Sequence, residues 1–282
     1  MIDAAAILNQ PFDERRQRYE ARDAILYALG VGLGDDPCDR AALRFLDERD
    51  LVVLPTFAVT LCTLGMWIRA PELGVDFPKL MHTAQAAEFF APLPPSGEVR
   101  GTARVAALTD RGADRGAVLI VERSLSDATS GRLCCRLQQT LLLRGDGGFG
   151  GPPAPHETRF APDNDPDCTA MFATSRRAAL IYRLSGDWNP LHLDPDMAAA
   201  GFERPILHGL ASYGAAGFIV SQALGRDPAT VSRLSCRFSG IVMPGDTVGF
   251  QIWREGDGAA RFRAFVDDRK VLDKGEIEWR DA

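Results

Sequence analysis

Apolar and polar residues alternate along the C-terminal stretch. "VSRLSCRFSG", "DTVGFQIWRE", "AARFRAFVDD" and "KVLDKGEIEWR" are each strand-like runs of period two, separated by turn residues. This period predicts four strands of an antiparallel meander. Ahead of them, Pro205 opens "ILHGLASYGAAGFIVSQAL", which is apolar on nearly every side and rich in Gly and Ala. That composition predicts a helix buried on all faces, ended by Gly225. Further upstream, Ser175 is placed to cap a short helix through "RRAALIYRL", which Gly186 ends. Between the two helices lies "SGDWNPLH", Ser185 to His192. Its Asn-Pro step disfavours the α region, so the segment reads as a loop.

The pattern occurs twice. "RDAILYALGVG" (Arg22 to Gly32) aligns with "RAALIYRLSGD" (Arg177 to Asp187), and "LPTFAVTLCTLGMWI" (Leu54 to Ile68) with "LHGLASYGAAGFIVS" (Leu207 to Ser221). "FFAPLPPSGEV" (Phe89 to Val99) then echoes "FSGIVMPGDTV" (Phe238 to Val248). Three echoes in one order predict two homologous halves, 1–150 and 171–282, joined by a Gly/Pro/Asp-rich linker over 151–170. The fold class expected is α+β, with each half an antiparallel sheet wrapped around a central buried helix.

The 282 residues carry a net charge of −6, which argues against a nucleic-acid partner. No apolar run reaches the length of a membrane span, and the N-terminus lacks the layout of a signal peptide. A cytoplasmic protein without a membrane partner is expected, and "EWRDA" at the C-terminus, which is no peroxisomal signal, favours a bacterial cytoplasm. The six cysteines include no C-x-x-C pair. They are expected to be reduced thiols, neither zinc ligands nor disulfides.

Asp187, Asn189 and His192 form the first candidate constellation. Asp and Asn often cap turns, and a lone histidine is usually unremarkable. A carboxylate and an imidazole fixed by one turn can also hold and deprotonate a water. The second is "RPILHGL", Arg204 to Leu210, where Gly209 falls in the first turn of the buried helix. Backbone N–H groups there lack intrahelical partners and can receive an oxygen that gains charge. His208 is either a core histidine or a member of the site.

"YRLSGDWNPLHLDPDMAAAGFERPILHGL" closely resembles the hydratase motif of the R-specific enoyl-CoA hydratases, the MaoC-like family with the hot-dog fold. "VLPTFAV", "ERSLSD", "RGDGGFGG" and "RFSGIVMPGD" extend the likeness over nearly the whole chain, towards the two-domain, double hot-dog branch. The resemblance implies that Asp187 and His192 activate a water, that Gly209 donates its N–H to the thioester carbonyl, and that Asn189 belongs to the site. "MHTAQ" (Met81 to Gln85) departs from the family, which reads more like His-Gly-Glu-Gln. The substrate implied is an acyl-CoA, with no cofactor and no metal. Arg204 and Arg237 are candidates for the coenzyme A phosphates, as are Arg176, Arg177 and Arg233, and His208 for the substrate pocket.

In the repeat register Asp187 corresponds to Gly32, His192 to Pro37, Gly209 to Thr56 and Leu210 to Phe57. The N-terminal half is therefore expected to keep the fold without the chemistry and to receive the acyl chain, with Pro55 and Phe57 in its lining. A homodimer is expected. Two rival activities are a hot-dog thioesterase, whose sites lack the Asp-x-Asn-Pro-x-His loop, and an inactive acyl-CoA binder, against which the intact motif argues. "GDGGFG" matches the dinucleotide fingerprint but runs into "GPPAP" instead of a helix. No G-x-S-x-G elbow supports a serine hydrolase.

Overall fold

The computed structural model describes residues 2–153, 162, 164–196 and 201–280. Ten strands form one antiparallel sheet: β1 (Arg15–Tyr19), β2 (Leu80–Phe89), β3 (Gly97–Asp110), β4 (Ala117–Asp127), β5 (Leu133–Leu143), β6 (Cys168–Ala173), β7 (Val231–Phe238), β8 (Thr247–Glu255), β9 (Ala259–Val266) and β10 (Arg269–Trp279). Their order is β1-β3-β4-β5-β2-β7-β10-β9-β8-β6. Read outward from the β2–β7 seam, the two halves have the same order, so the duplication seen in the sequence is also a duplication of topology. This is the double hot-dog arrangement. The seam itself is antiparallel, with Gln85 opposite Cys236 and Ala87 opposite Leu234.

Five α-helices are present among the described residues: α1 (Ala4–Leu8), α2 (Ala21–Gly30), α3 (Arg40–Leu43), α4 (Ala178–Tyr182) and α5 (Gly209–Ala223). The C-terminal half wraps α5, whose small residues permit close packing. A Cβ on Gly214 would lie 2.4 Å from the Tyr27 hydroxyl, and one on Gly217 3.1 Å from Leu234. Gly225, at φ 67°, takes the left-handed conformation that ends the helix. Helices α2 and α4 pack together, and the aligned residues Tyr27 and Tyr182 meet with ring centroids 6.0 Å apart.

Three expectations need correction. The central helix of the N-terminal half is replaced by a 3-10 turn, Pro55–Thr60, followed by short turns. Proline starts it, Thr56, Val59, Thr60 and Thr63 are β-branched, and Cys62 sits at φ 49°, so a long helix has little local support. Helix α5 begins at Gly209, not Pro205, because Leu207 is held outside it by an N–H bond to the Val242 carbonyl. The stretch assigned as linker already contains the start of β6 at Cys168, and much of that linker lies outside the described residues.

Candidate active site

Gly186, at φ 107°, stops the turn that follows α4 and throws the chain into the motif loop. There the Asn189 N–H donates to Asp187 Oδ1 (3.2 Å) and Asn189 Oδ1 accepts from the Leu191 N–H (3.1 Å). Asn189 thus shapes the loop by capping the short turn Pro190–His192, with proline at its first position. His192 is 7% exposed, and its Nδ1 lies 2.9 Å from the Ile206 carbonyl oxygen. A carbonyl only accepts, so Nδ1 carries the proton and Nε2 is left as the acceptor.

His208, 1% exposed, stacks on His192 with ring centroids 3.6 Å apart and 25° between planes. Burial pushes its pKa down to about 3, with His192 adding to the effect, and neither ring nitrogen has a hydrogen-bond partner. The Asp187 backbone acts in the opposite direction. Burial also lowers the His192 pKa, against the Ile206 bond and the Asp187 charge, which raise it. Both imidazoles are therefore neutral near pH 7. The carboxylate and ring nitrogens of Asp187, His192 and His208 lie within 4.8 Å of one another.

That spacing also suits a metal ion, a grouping that the sequence, read as implying no metal, did not reveal. Gly209 is the first residue of α5, and its N–H has no acceptor among the described residues. It faces a ring: a Cβ there would stand 3.3 Å from Phe238 Cδ1.

The other candidates are less central. Arg204 is loosely paired with Asp246 at 3.9 Å, and Arg269 shares that carboxylate at 3.8 Å. Arg176 runs past Gly245 in the same loop, so Arg176, Arg204 and Arg269 gather around residues 243–246. Arg233 pairs with Glu278 at 3.3 Å, and Arg177 precedes the first turn of α4. Arg237 sits on β7 opposite Ala84 and Asp273. Pro55 and Phe57 are buried, with Phe57 packed on Tyr19 and Tyr27 at 5.5 and 5.6 Å between centroids. Thr56, aligned with Gly209, packs against Gly217 in the middle of α5. Two residues beside the site escaped sequence reasoning. Phe238 lies in the quoted "RFSG", and His82, one of four histidines, packs edge-on to Phe238 at 5.0 Å.

Two family descriptions match the chain in tandem. The MFE-2 hydratase 2 N-terminal domain covers residues 17–145, and the MaoC like domain covers residues 157–274. The 3-hydroxyacyl-thioester dehydratase Y of Mycobacterium tuberculosis is 40% identical, over 92% of this chain and 92% of its own. The chain belongs to the MaoC-like hydratase 2 family. The peroxisomal enoyl-CoA hydratase 2 of Arabidopsis thaliana is 38% identical, over 89% of this chain and 86% of that protein. The MaoC-like dehydratase of Phytophthora capsici superposes with a TM-score of 0.83 at 31% identity, covering both chains completely. None of the helices among the described residues is long and apolar enough to cross a membrane.

Proposed function

We propose that this chain is a hydro-lyase that adds water to a trans-2-enoyl-CoA, giving the (R)-3-hydroxyacyl-CoA, and catalyses the reverse dehydration. One observation carries the reading: a carboxylate and a neutral imidazole, Asp187 and His192, share a space of 4.8 Å beside the unpaired first N–H of a buried helix. A water bridging Asp187 and His192 Nε2 gives its proton to the imidazole as its oxygen bonds to C3. Charge moves to the thioester oxygen, where the Gly209 N–H and the positive end of α5 receive it. The proton then goes to C2, which regenerates the pair. No electrons leave the system, so no redox cofactor takes part.

His208, held neutral, keeps a second positive charge away from His192. The arginines around residues 243–246 face the coenzyme A phosphates, for which guanidinium forks are suited. The acyl chain runs past Phe238 into the N-terminal half, where the short 3-10 turn replaces a full helix. Asp187→Asn and His192→Ala each lower turnover of trans-2-enoyl-CoA by at least about a hundredfold. Loss of the conjugated absorbance reads hydration, and free thiol reads hydrolysis; thiol release at the wild-type rate without hydration would replace this reading with a thioesterase. Asp187→Asn leaves no second activity, since Gly32 and Pro37 stand at the corresponding positions. Chiral analysis of the product tests the R assignment. The reading includes a cytoplasmic homodimer, which sedimentation at two concentrations checks.

A further inference from the structure

The core on the concave face of the N-terminal half is broken in two. Leu125 of β4 and Leu137 of β5 belong to the main cluster, whereas Val121 and Leu141 of the same strands belong to a second one. Between the clusters, at the same inward-facing strand positions, the residues are polar. Gln85 on β2 stands opposite Gln139 on β5, and Gln139 opposite Val121 on β4, two residues from Arg123. That offset makes Arg123 a diagonal neighbour of Gln139, within reach of long side chains.

Arg123 donates through Nη2 to the Val59 carbonyl (2.8 Å) and through Nη1 to the Cys62 carbonyl (3.4 Å), which ties down the end of the Pro55–Thr60 turn. Two carbonyls need only neutral donors. Among the described residues no carboxylate pairs with Arg123, and its Nε–H is shut off from solvent without a partner. Burial draws its pKa down to about 10, so the guanidinium is charged at neutral pH. Capping the turn accounts for the hydrogen bonds and leaves the charge unexplained. Arg123 is half-buried with its Nε–H shut in, and a largely desolvated cation without a counter-ion is costly unless an anion arrives.

The band is connected to the catalytic centre. His82 lies close enough to Arg123 for the guanidinium charge to act on its titration, and the His82 ring packs on Phe238, which covers Gly209. Gly209, Phe238, His82 and Arg123 thus lead from the oxyanion donor into the N-terminal half. We infer that Arg123, with the amide of Gln139 and the Gln85 N–H left over after its Nε2 donates to the Ala86 carbonyl (3.0 Å), receives an anionic group at the far end of the acyl chain. This rests on the hydratase reading and on the acyl chain entering that half. The substrate class is the monothioester of an α,β-unsaturated dicarboxylic acid, whose terminal carboxylate would supply the counter-ion.

The test compares kcat/KM of the full-length protein on trans-2-decenoyl-CoA and on the CoA monothioester of trans-2-decenedioic acid. A wholly apolar tunnel discriminates strongly against the second, because it must desolvate a carboxylate. Wild type is expected to use the diacid thioester at least as well as the plain one. In Arg123→Met the diacid-to-plain ratio falls by roughly tenfold or more, the lower end for a hydrogen bond to a charged group. An Arg123→Met that loses both substrates in equal proportion means the residue only caps the turn, and overturns the inference. So does a wild type that rejects the diacid while hydrating decenoyl-CoA, a result that needs no folded variant and leaves the hydratase reading standing. Hydration of neither thioester overturns both.

Discussion

Gly209→Ala puts one methyl group where the thioester oxygen is received. The added Cβ would lie 3.3 Å from Phe238 Cδ1 and 3.4 Å from Cδ2 and Cε1, so the ring or the helix start must move by a few tenths of an ångström. The ring cannot retreat freely, because His82 packs edge-on against it with centroids 5.0 Å apart. Overpacking of this kind costs about 1–3 kcal/mol, while replacing a glycine at a compatible backbone angle returns about 0.4–1 kcal/mol. The net effect on stability is therefore small, about 1 kcal/mol. The effect on catalysis is larger: removing an oxyanion donor costs about 10²–10³ in rate, and displacing one recovers part of that. Gly209→Ala should lose roughly ten- to a hundredfold in kcat/KM on trans-2-enoyl-CoA, with the melting temperature lowered by only a few degrees. Adding Phe238→Leu, which makes room for the methyl, should restore part of the activity. Turnover within about threefold of wild type in Gly209→Ala would refute the role given to this N–H.

Other outcomes follow from the same geometry. Because His192 must be neutral to accept a proton and burial lowers its pKa, the acid limb of kcat/KM should fall below pH 6.5, the ordinary histidine value; an acid limb above it would contradict the neutral base. Burial also depresses His82 to about 4 and His208 to about 3, so the unfolded chain takes up their protons at higher pH than the folded one does. That stabilisation is present above pH 6.5 and is lost as pH falls towards 4, by about 3 kcal/mol for His82 alone, which denaturant titrations at pH 7 and 4.5 can measure. Gly214→Ala drives a Cβ to 2.4 Å from the Tyr27 hydroxyl and 2.6 Å from Val31 Cγ1, deep in the packing between the halves. It should cost about 3 kcal/mol or prevent soluble expression, and a melting temperature equal to wild type would show that the helix can shift without penalty.

The C-terminal half was legible because its signals are local. Period-two runs gave β7 to β10, and Gly and Ala marked α5 as buried on every side. The motif loop could be read for the same reason: Gly186, Asp187, Asn189 and Pro190 each impose their own backbone or capping geometry. The N-terminal half was misread where alignment stood in for physics. "LPTFAVTLCTLGMWI" sits under the helix sequence, but Leu61 and Leu64 stand where Gly214 and Gly217 let α5 approach Tyr27 and Leu234, and its second residue is a proline. The stacking of His208 on His192, and the position of Phe238 over Gly209, join positions in different elements, a loop with a helix start and a helix start with a strand end. Nothing in either segment announces its partner. The arginines show the same limit: a sequence can count them, but only the fold reveals that Arg204 and Arg269 share Asp246.

The β2–β7 seam also has a consequence for how the chain is made. Its partners, such as Gln85 and Cys236, lie in different halves, 236 − 85 = 151 positions apart, so the contact cannot form until most of this sequence has been synthesised. At ribosomal speeds that interval is on the order of ten seconds, far longer than a hairpin needs to close. During this time β2 presents a ten-residue strand edge with no neighbour on its seam side. The same edge on a second nascent chain offers an equivalent surface. Chains translated side by side can therefore be trapped as exchanged pairs, and spacing between ribosomes, or a holdase that covers this edge, becomes part of what the sequence needs in order to fold.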